Sequence, residues 1–217
     1  MSTVRLYLVR HGETAWNAHN LWQGTMDVPL SPRGRRQADA LREALAPVPF
    51  DAAYTSPLRR ARETADRVLA GRALAPTVVP ALRELCYGLR QGWGVAARAR
   101  SGLDRAWRDR PWEVRFPGGE SLEEVSRRAV PAVRAIAAAH PGGCVLVSAH
   151  GHVNRVLEMH FGGIDRARFW DDAQPNATVR VLDIHPPDAD PPGAARAGAD
   201  AKRAIGMAST SIHIHRG

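Results

Sequence analysis

Short apolar runs that are typical of buried strands alternate along this chain with stretches of helical periodicity. Val4 to Val9 is the first such run, residues 51–55 are a second and residues 143–149 are a third. Between them, Ser31-Pro32 and Ser56-Pro57 each combine an N-cap residue with a proline suited to a first helical turn. This alternation predicts an α/β fold with a largely parallel sheet.

Three further elements are predicted nearer the C-terminus. A helix is expected to begin at Ser121, which forms a capping box with Glu124. Pro131 lies inside this helical pattern, so we expect it to kink or split the helix. Another helix is expected over about residues 153–159, and residues 179–184 have the composition of a final strand.

The size and composition of the chain are those of a globular protein. Its 217 residues fit one domain with a large core. No stretch approaches the roughly 18 to 20 apolar residues that a membrane span needs, and no export signal is visible. We therefore expect a cytoplasmic protein with no membrane partner. Cys86 and Cys144 lie far apart without metal-type spacing, which predicts two reduced thiols, with Cys144 in the core.

The basic charge of the chain comes almost wholly from arginine. Lysine and arginine total 30 against 22 acidic residues, for a formal charge of +8, and Lys202 is the only lysine. Guanidinium groups bind phosphate oxygens in a bidentate way, so this excess suits nucleic acid or anionic small molecules. Because no basic run with interleaved aromatic residues is present, the pattern favours anionic small molecules over nucleic acid.

Two of the predicted strands end in a histidine followed by a glycine. Arg10-His11-Gly12 follows the first strand, and His150-Gly151 follows the third. Ligands of open parallel sheets bind at the carboxyl ends of the strands, where glycine lets backbone N–H groups approach an anion. The sequence therefore predicts that His11 and His150 lie together at one edge of the sheet.

Five motifs occur in a fixed order between Leu6 and Ile184. They are Leu8-Val9-Arg10-His11-Gly12-Glu13-Thr14 with Asn17, Ser56-Pro57-Leu58-Arg59-Arg60-Ala61 with Glu63-Thr64-Ala65, Leu82-Arg83-Glu84-Leu85 with Gly88, Gly118-Gly119-Glu120-Ser121, and Ser148-Ala149-His150-Gly151. This set resembles the signature of the histidine phosphatase superfamily, the phosphoglycerate-mutase-like proteins of branch 1. The resemblance implies a three-layer α/β/α domain over residues 1–184, with a lid insertion at about residues 92–117.

The resemblance also implies the roles of five residues. His11 is the expected nucleophile, because an unprotonated imidazole can attack phosphorus and hold the phosphoryl group as phosphohistidine. Its other ring nitrogen should donate to a backbone carbonyl or a similar acceptor. Arg10, Arg60 and a protonated His150 would surround the phosphoryl oxygens and keep His11 deprotonated. Glu84 would protonate the departing alkoxide and then deprotonate the attacking water.

Further contacts to phosphate and substrate are implied at three positions. These are Asn17, Gln23 and Gly24. Glu13 and Glu63 are rivals for the role of the general acid, but the motif alignment favours Glu84. If Glu84 is not catalytic, the alternative is a surface glutamate that pairs with Arg83 or Arg90. No metal or other cofactor is expected, because the positive groups neutralise the developing charge themselves.

The acceptor of the phosphoryl group separates the two activities known in this family. No basic residue directly follows Glu84, and the segment 92–117 is short, which favours water and hence the metal-independent hydrolysis of a small phosphorylated metabolite. Phosphoglycerate mutase-type transfer is the alternative, and five arginines of the segment keep it open: Arg98, Arg100, Arg105, Arg108 and Arg110. Three tryptophans there suggest either a partly apolar substrate wall or core packing: Trp93, Trp107 and Trp112.

His152 and the C-terminal residues 185–217 each allow two interpretations. His152 follows His150-Gly151 where the family commonly has a small residue, so it either narrows the pocket or faces solvent. Residues 185–217 read as a loop and tail rich in proline, alanine and glycine, which packs across a homodimer interface or hangs free. Its end, residues 211–215, is expected to be an edge strand or disordered.

A non-catalytic module that recognises phosphate without turnover is a further alternative to an enzyme.

Overall fold

The computed structural model describes residues 2–185 and the backbone of residues 211–212. These described residues contain six strands: β1 (Val4–Arg10), β2 (Ala52–Thr55), β3 (Thr77–Val78), β4 (Cys144–Ala149), β5 (Val179–Ile184) and β6 (Ser211–Ile212). They also contain seven α-helices: α1 (Ala15–Ala18), α2 (Pro32–Ala44), α3 (Arg59–Val68), α4 (Val95–Arg100), α5 (Leu103–Asp109), α6 (Leu122–Ala139) and α7 (Gly151–Phe161).

The strands form one mixed sheet in the order β3-β2-β4-β1-β5-β6. Strands β3, β2, β4 and β1 are parallel to one another, whereas β5 pairs antiparallel with both β1 and β6. The predicted α/β fold with a mostly parallel sheet is therefore confirmed. Because β1 and β4 are neighbours in register, with Arg10 opposite Ala149, the residues that follow them emerge side by side.

Helices cover both faces of the sheet, as expected for three layers. Alternating residues of β1 point to opposite faces. Leu6 and Leu8 belong to the apolar cluster that includes residues of α6 and α7. Val9 belongs to the other cluster, with Leu41 of α2 and Val68 of α3. The central strands of the sheet are thus covered on both faces, as parallel sheets require.

Two of the predicted helix starts are confirmed. Ser31 caps α2 by accepting from the backbone N–H of Gly34, and Ser121 caps α6 in a capping box with Glu124. The start predicted at Ser56 is wrong, because the Ser56 hydroxyl is engaged by the N–H of Leu58 and by a histidine, and α3 begins only at Arg59.

Two expectations about packing are also corrected. The split considered at Pro131 is wrong, because α6 is continuous past the proline, with buried Ala129, Val130 and Val133 packing both sides of it against the core; the kink stays a prediction. Cys144 is half-buried rather than in the core, since it opens β4 at the rim of a shallow cavity. Both cysteines are free thiols, as predicted.

The predicted lid and tail are described to different extents. Residues 92–117 contain α4, α5 and a short 3-10 helix, Pro111–Glu113. Of the tail, β6 pairs with β5 as an edge strand, whereas residues 186–210 and 213–217 lie outside the described residues. Within the described ranges, no helix is long and apolar enough to cross a membrane.

Candidate active site

Three parallel strands deliver polar residues to one point at the edge of the sheet. His11 follows β1, His150 follows β4, and Ser56 follows β2, whose Thr55 lies opposite Ser148. The rings of His11 and His150 are 5.2 Å apart between centroids. The structure therefore brings the two histidines together where the strand pattern predicts them.

His11 is held in one tautomer by its own loop. Its Nδ1 lies 2.7 Å from the carbonyl oxygen of Gly12, to which it donates, so Nε2 carries the lone pair. Arg60 Nε donates to that Nε2 over 3.2 Å. Burial lowers the pKa of His11 well below its ordinary value, and the nearby charges of Arg60 and Arg10 lower it further. The ring is a neutral imidazole with its basic nitrogen beside a guanidinium.

A close approach of two glycines builds this loop. A Cβ added at Gly12 would lie 2.5 Å from the carbonyl oxygen of Gly34, and one added at Gly34 would lie 2.0 Å from the carbonyl oxygen of Glu13. The first turn of α2 therefore packs directly against the backbone that carries His11.

Arg60 is fixed by backbone carbonyls. Its two terminal nitrogens donate to the carbonyl oxygens of Met26 and Gly24 at 2.8 and 2.7 Å. The residue is 1% exposed, and burial lowers its pKa to about 10. Since an arginine with that pKa stays charged near neutral pH, it presents a fixed positive charge to His11.

Arg10 is the second cation at the strand ends. It donates to the carbonyl oxygen of Gln174, and its buried Nε has no hydrogen-bond partner among the described residues. Gln174 is itself held by its amide, which donates to the carbonyl oxygens of Leu8 and Thr178. The Gln174 loop thus positions Arg10, and nothing in the sequence pattern indicates this.

His150 is fully buried and hydrogen-bonded on one side. Its Nε2 lies 2.7 Å from the Ser56 hydroxyl, while Nδ1 has no partner in the described part of the chain. Burial lowers the pKa of His150 well below its ordinary value, and the charge of Arg60 adds to this effect. The ring is therefore neutral before a phosphoryl group binds, and its protonation beside a bound phosphoryl group stays a prediction.

Glu84 lies in the same cavity, where its side-chain partner among the described residues is His152. Its Oε1 accepts from the N–H of Leu85 at 2.8 Å, and its Oε2 lies 3.3 Å from Nδ1 of His152. Burial raises the pKa of Glu84, but His152, His150 and the N–H of Leu85 together more than offset this, so the pKa lies well below its ordinary value. The surface pairs considered for it do not form, because Arg83 pairs with Glu120 and Arg90 covers Trp93.

The motif around Glu120 supports the backbone of Glu84. Glu120 accepts from Arg128 at 2.9 Å and from the N–H of Cys86 at 3.1 Å. Arg128 in turn donates to the carbonyl oxygens of Arg83 and Glu84. This ion pair is largely buried, so it fixes the segment that carries Glu84 against α6.

All but one of the predicted site residues line a single cavity of about 470 Å³, and the exception, His150, has its ring 5.2 Å from that of His11. The predicted residues that line it are Arg10, His11, Asn17, Gln23, Gly24, Arg60 and Glu84. Asn17 and Gln23 are fixed by Thr14, whose hydroxyl lies 3.1 and 2.9 Å from their side-chain oxygens. The rival acids Glu13 and Glu63 lie elsewhere, paired with Arg33 and Arg59.

The lid supplies the outer wall of this cavity. Its contribution comes from α4 and α5: Val95, Arg98, Asp104, Trp107 and Arg108. Of the three tryptophans noted in the lid, only Trp107 lines the cavity. Trp93 stacks under Arg90, and Trp112 packs on Arg166 and Phe169. The outer wall is therefore mixed, with one buried aromatic ring and charged groups of both signs.

Three site residues were not identified from the sequence. Ser56 and Gln174 hold His150 and Arg10, and Tyr87 lines the cavity beside Glu84. Only Ser56 carried a signal, since its Ser-Pro pattern was interpreted as a helix cap. In the part of the chain that the structure describes, no cluster of three or more His, Cys, Asp or Glu residues could hold a metal ion.

Comparison with known proteins places this geometry in a family. Residues 6–190 match the model of the histidine phosphatase superfamily, branch 1. Phosphoserine phosphatase 1 of Hydrogenobacter thermophilus is 32% identical, over 82% of this chain and 86% of its own. The 2,3-bisphosphoglycerate-dependent phosphoglycerate mutase 2 of Gloeobacter violaceus is 39% identical, over 71% of this chain and 74% of its own.

A solved structure agrees with this assignment. YhfR of Bacillus stearothermophilus superimposes with a TM-score of 0.79 and 31% identity, covering 84% of this chain and 92% of its own. The family match extends over most of the chain, and the motif residues that suggested it meet at one cavity. The chain belongs to the histidine phosphatase superfamily, branch 1.

Proposed function

We propose that this protein is a metal-independent phosphatase that hydrolyses a small phosphorylated metabolite through a phosphohistidine at His11. The observation that carries the proposal is the state of His11. Its Nδ1 is committed to the carbonyl of Gly12, and its unprotonated Nε2 lies 3.2 Å from the guanidinium of Arg60, inside the cavity. A basic nitrogen beside a fixed cation is what attack on a phosphate dianion requires.

In the first half of the reaction, the lone pair of His11 Nε2 forms a bond to phosphorus. The ester P–O bond breaks, and its electron pair goes to the leaving oxygen, which takes a proton from Glu84. Arg10 and Arg60 stabilise the charge on the transferring phosphoryl oxygens. His150 has an unpartnered Nδ1 that can donate to the same oxygens once their negative charge favours its protonation.

In the second half, a water molecule attacks the phosphorus of the phosphohistidine. Glu84 accepts a proton from this water, and the electron pair of the N–P bond returns to His11 Nε2. Inorganic phosphate leaves, and Glu84 has regained the proton that it gave to the alcohol. The cycle needs no group beyond the side chains of the cavity.

The structure around Glu84 supports water as the acceptor. The next basic residue along the chain is Arg90, whose guanidinium lies over the Trp93 ring at 4.1 Å and does not line the cavity. No basic side chain directly after Glu84 is thus available to hold a phosphoglycerate for return of the phosphoryl group. Arg98 and Arg108 do line the cavity, however, and they favour phosphoglycerate mutase-type transfer as the second candidate.

Replacement of His11 tests the proposal most directly. His11→Ala should reduce phosphate release by on the order of 10⁴-fold or more and abolish labelling of the protein by a phosphate donor, because the nucleophile is gone. The matched control is His19→Ala, at an exposed position, which should keep activity. Retained turnover in the His11→Ala protein with an unchanged circular dichroism spectrum would reject the phosphohistidine.

The products formed from 3-phosphoglycerate separate the two candidate activities. A phosphatase releases inorganic phosphate with chelator present, whereas a mutase forms 2-phosphoglycerate with little phosphate. A panel of phosphorylated metabolites that includes phosphoserine and 3-phosphoglycerate, read by phosphate release, then ranks the substrates by kcat/KM. Predominant formation of 2-phosphoglycerate would replace hydrolysis by transfer.

A further inference from the structure

Within the described residues, His152 is the only side chain at hydrogen-bond distance from the carboxylate of Glu84. Its Nδ1 lies 3.3 Å from Glu84 Oε2, and its backbone N–H lies 3.5 Å from the same oxygen. Both residues line the cavity beside His11. The sequence left His152 between two alternatives, narrowing the pocket or facing solvent. In the structure, His152 lies in the cavity wall beside the expected general acid.

Aromatic rings hold the His152 imidazole in a fixed orientation. Phe169 stacks on it at 6.0 Å with an interplanar angle of 12°, and the rings of Trp107 and Trp170 meet it at 5.6 and 6.0 Å. The hydroxyl of Tyr87 lies 3.4 Å from its Nδ1. Because π-faces also tolerate a cation, this cage can hold the ring in either its neutral or its protonated form.

The charge state of Glu84 before substrate binds differs from the state that a general acid needs. A general acid must enter the reaction with a proton, yet the pKa of Glu84 lies well below its ordinary value in spite of burial, because His152, His150 and the N–H of Leu85 all lower it. Before substrate binds, Glu84 is therefore a carboxylate. The nearest side-chain nitrogen is Nδ1 of His152, 3.3 Å from Glu84 Oε2, which is close enough for a proton to pass between the two groups.

We propose that His152 is a positioning residue that shares one proton with Glu84, so that the pair rather than Glu84 alone supplies the leaving-group proton. Binding of a phosphate dianion favours the neutral acid, and the proton moves from His152 Nδ1 to Glu84 Oε2. Glu84 gives this proton to the leaving oxygen as the P–O bond breaks. The proton taken from water in the second half restores the pair.

Several other charged or titratable groups face this pair from the surrounding elements. They are Arg10 at the end of β1, Arg60 of α3, Tyr87, Arg98 of α4, Asp104 and Arg108 of α5, and His150 before α7. All of them are present in a protein altered only at His152. A change in pH dependence on replacing His152 therefore reports the pair itself.

The test compares alkyl and aryl phosphates in a His152→Gln protein. Alkyl phosphates need a protonated leaving oxygen, so their kcat should fall by about 10- to 100-fold, whereas kcat for 4-nitrophenyl phosphate should change by less than about threefold. The alkaline limb of kcat for the alkyl phosphate should move to lower pH by about one unit, because Glu84 alone loses its proton earlier. His160→Gln, at an exposed position of the same helix, is the control and should change neither.

A second variant guards against loss of packing in the aromatic cage. His152→Gly leaves space for added imidazole, which should restore kcat for the alkyl phosphate at least several-fold in a pH-dependent way and leave the aryl rate unchanged. Equal losses on both substrate types with an unmoved alkaline limb, or no rescue by imidazole, would overturn the shared proton and leave His152 as packing.

The inference rests on the proposed function, and one further variant separates their failures. Glu84→Gln should slow alkyl phosphates far more than aryl phosphates. If it does so while His152→Gln does not, only the inference about His152 fails. If Glu84→Gln slows both equally, or if the His11→Ala protein remains active, the proposed mechanism fails, and the shared proton fails with it.

Discussion

The two ends of the cavity are built in different ways. At the inner end, His11, Arg60 and His150 are 3%, 1% and 0% exposed, and backbone carbonyls or buried side chains hold each of them. At the outer end, the charged groups come from the short lid helices, and the Arg108 side chain is 69% exposed and pairs with Asp104, one turn away. The inner end is fixed by the sheet, whereas the outer end is fixed by local contacts.

This difference assigns a separate task to each end. Charges that are buried and held by the fold act in a low dielectric and need no reorganisation, so they can stabilise a transition state. Charges at the surface are screened and contribute little energy each, so they bias which substrate enters. Substitutions at the inner end should therefore act on kcat, and those at the outer end on KM.

Arg60 offers the largest expected effect. Arg60→Ala removes a fixed positive charge at His11 Nε2 and should lower kcat by about 10²- to 10³-fold, because transition-state charge is no longer neutralised. Arg62→Ala, an exposed neighbour on the same helix, is the matched control and should leave kcat unchanged. Steady-state kinetics of both proteins with one substrate give the comparison. A tenfold or smaller loss at Arg60 would show that the sheet edge does not carry the chemistry.

The pH dependence of stability probes the inner end without any substrate. Burial lowers the folded-state pKa of His11 and His150, so the unfolded chain binds more protons below about pH 6.5 and the free energy of unfolding falls as the pH falls. Each histidine contributes a slope of up to about 1.4 kcal/mol per pH unit. Between pH 6.5 and 5, the His11→Asn protein should show a shallower slope than the native protein.

Urea unfolding at several pH values measures this slope. The pH window excludes Glu84, whose lowered pKa affects stability only below the ordinary carboxyl range of about 4.3. His19→Ala, at an exposed position, is the control and should retain the native slope. Identical slopes for the native and His11→Asn proteins would mean that His11 is not held neutral by the fold.

The same contrast explains what the sequence could predict. The strand ends at Arg10 and Ala149 follow from local apolar runs, and two histidines after parallel neighbours must lie together. The failures arose where tertiary contacts outweigh local patterns. The Ser56 hydroxyl bonds to His150 instead of capping a helix, and Cys144 lies at the rim of a cavity instead of in the core.

The lid was harder to predict because its helices are short and their packing is not periodic. The sequence could not distinguish which of three tryptophans lines the cavity. Of the three, Trp107 alone lines it, while Trp93 and Trp112 are covered by arginines. The partner of His152 depends on bringing residues 84 and 152 together across the fold. Motifs therefore identify the reacting groups, and only the three-dimensional arrangement identifies the groups that adjust them.

The smallest expected effect is at the outer end, where Arg108→Ala should change substrate preference rather than chemistry. Arg108 lines the cavity with a mostly exposed side chain, and an exposed charge pair is worth about 1 kcal/mol or less. KM for a phosphate ester with a second anionic group, such as 3-phosphoglycerate, should therefore rise by about fivefold or less, with kcat within about twofold.

The appropriate control is Arg105→Ala, because Arg105 lies on the same helix, pairs with Asp109 and does not line the cavity. KM for propyl phosphate, which has no second anion, should be the same in all three proteins. The KM difference for 3-phosphoglycerate should also shrink as salt is added, because exposed charges are screened. If Arg108→Ala instead lowered kcat by 100-fold, the lid would reach the transferring phosphoryl group, and the division of labour between the two ends would not hold.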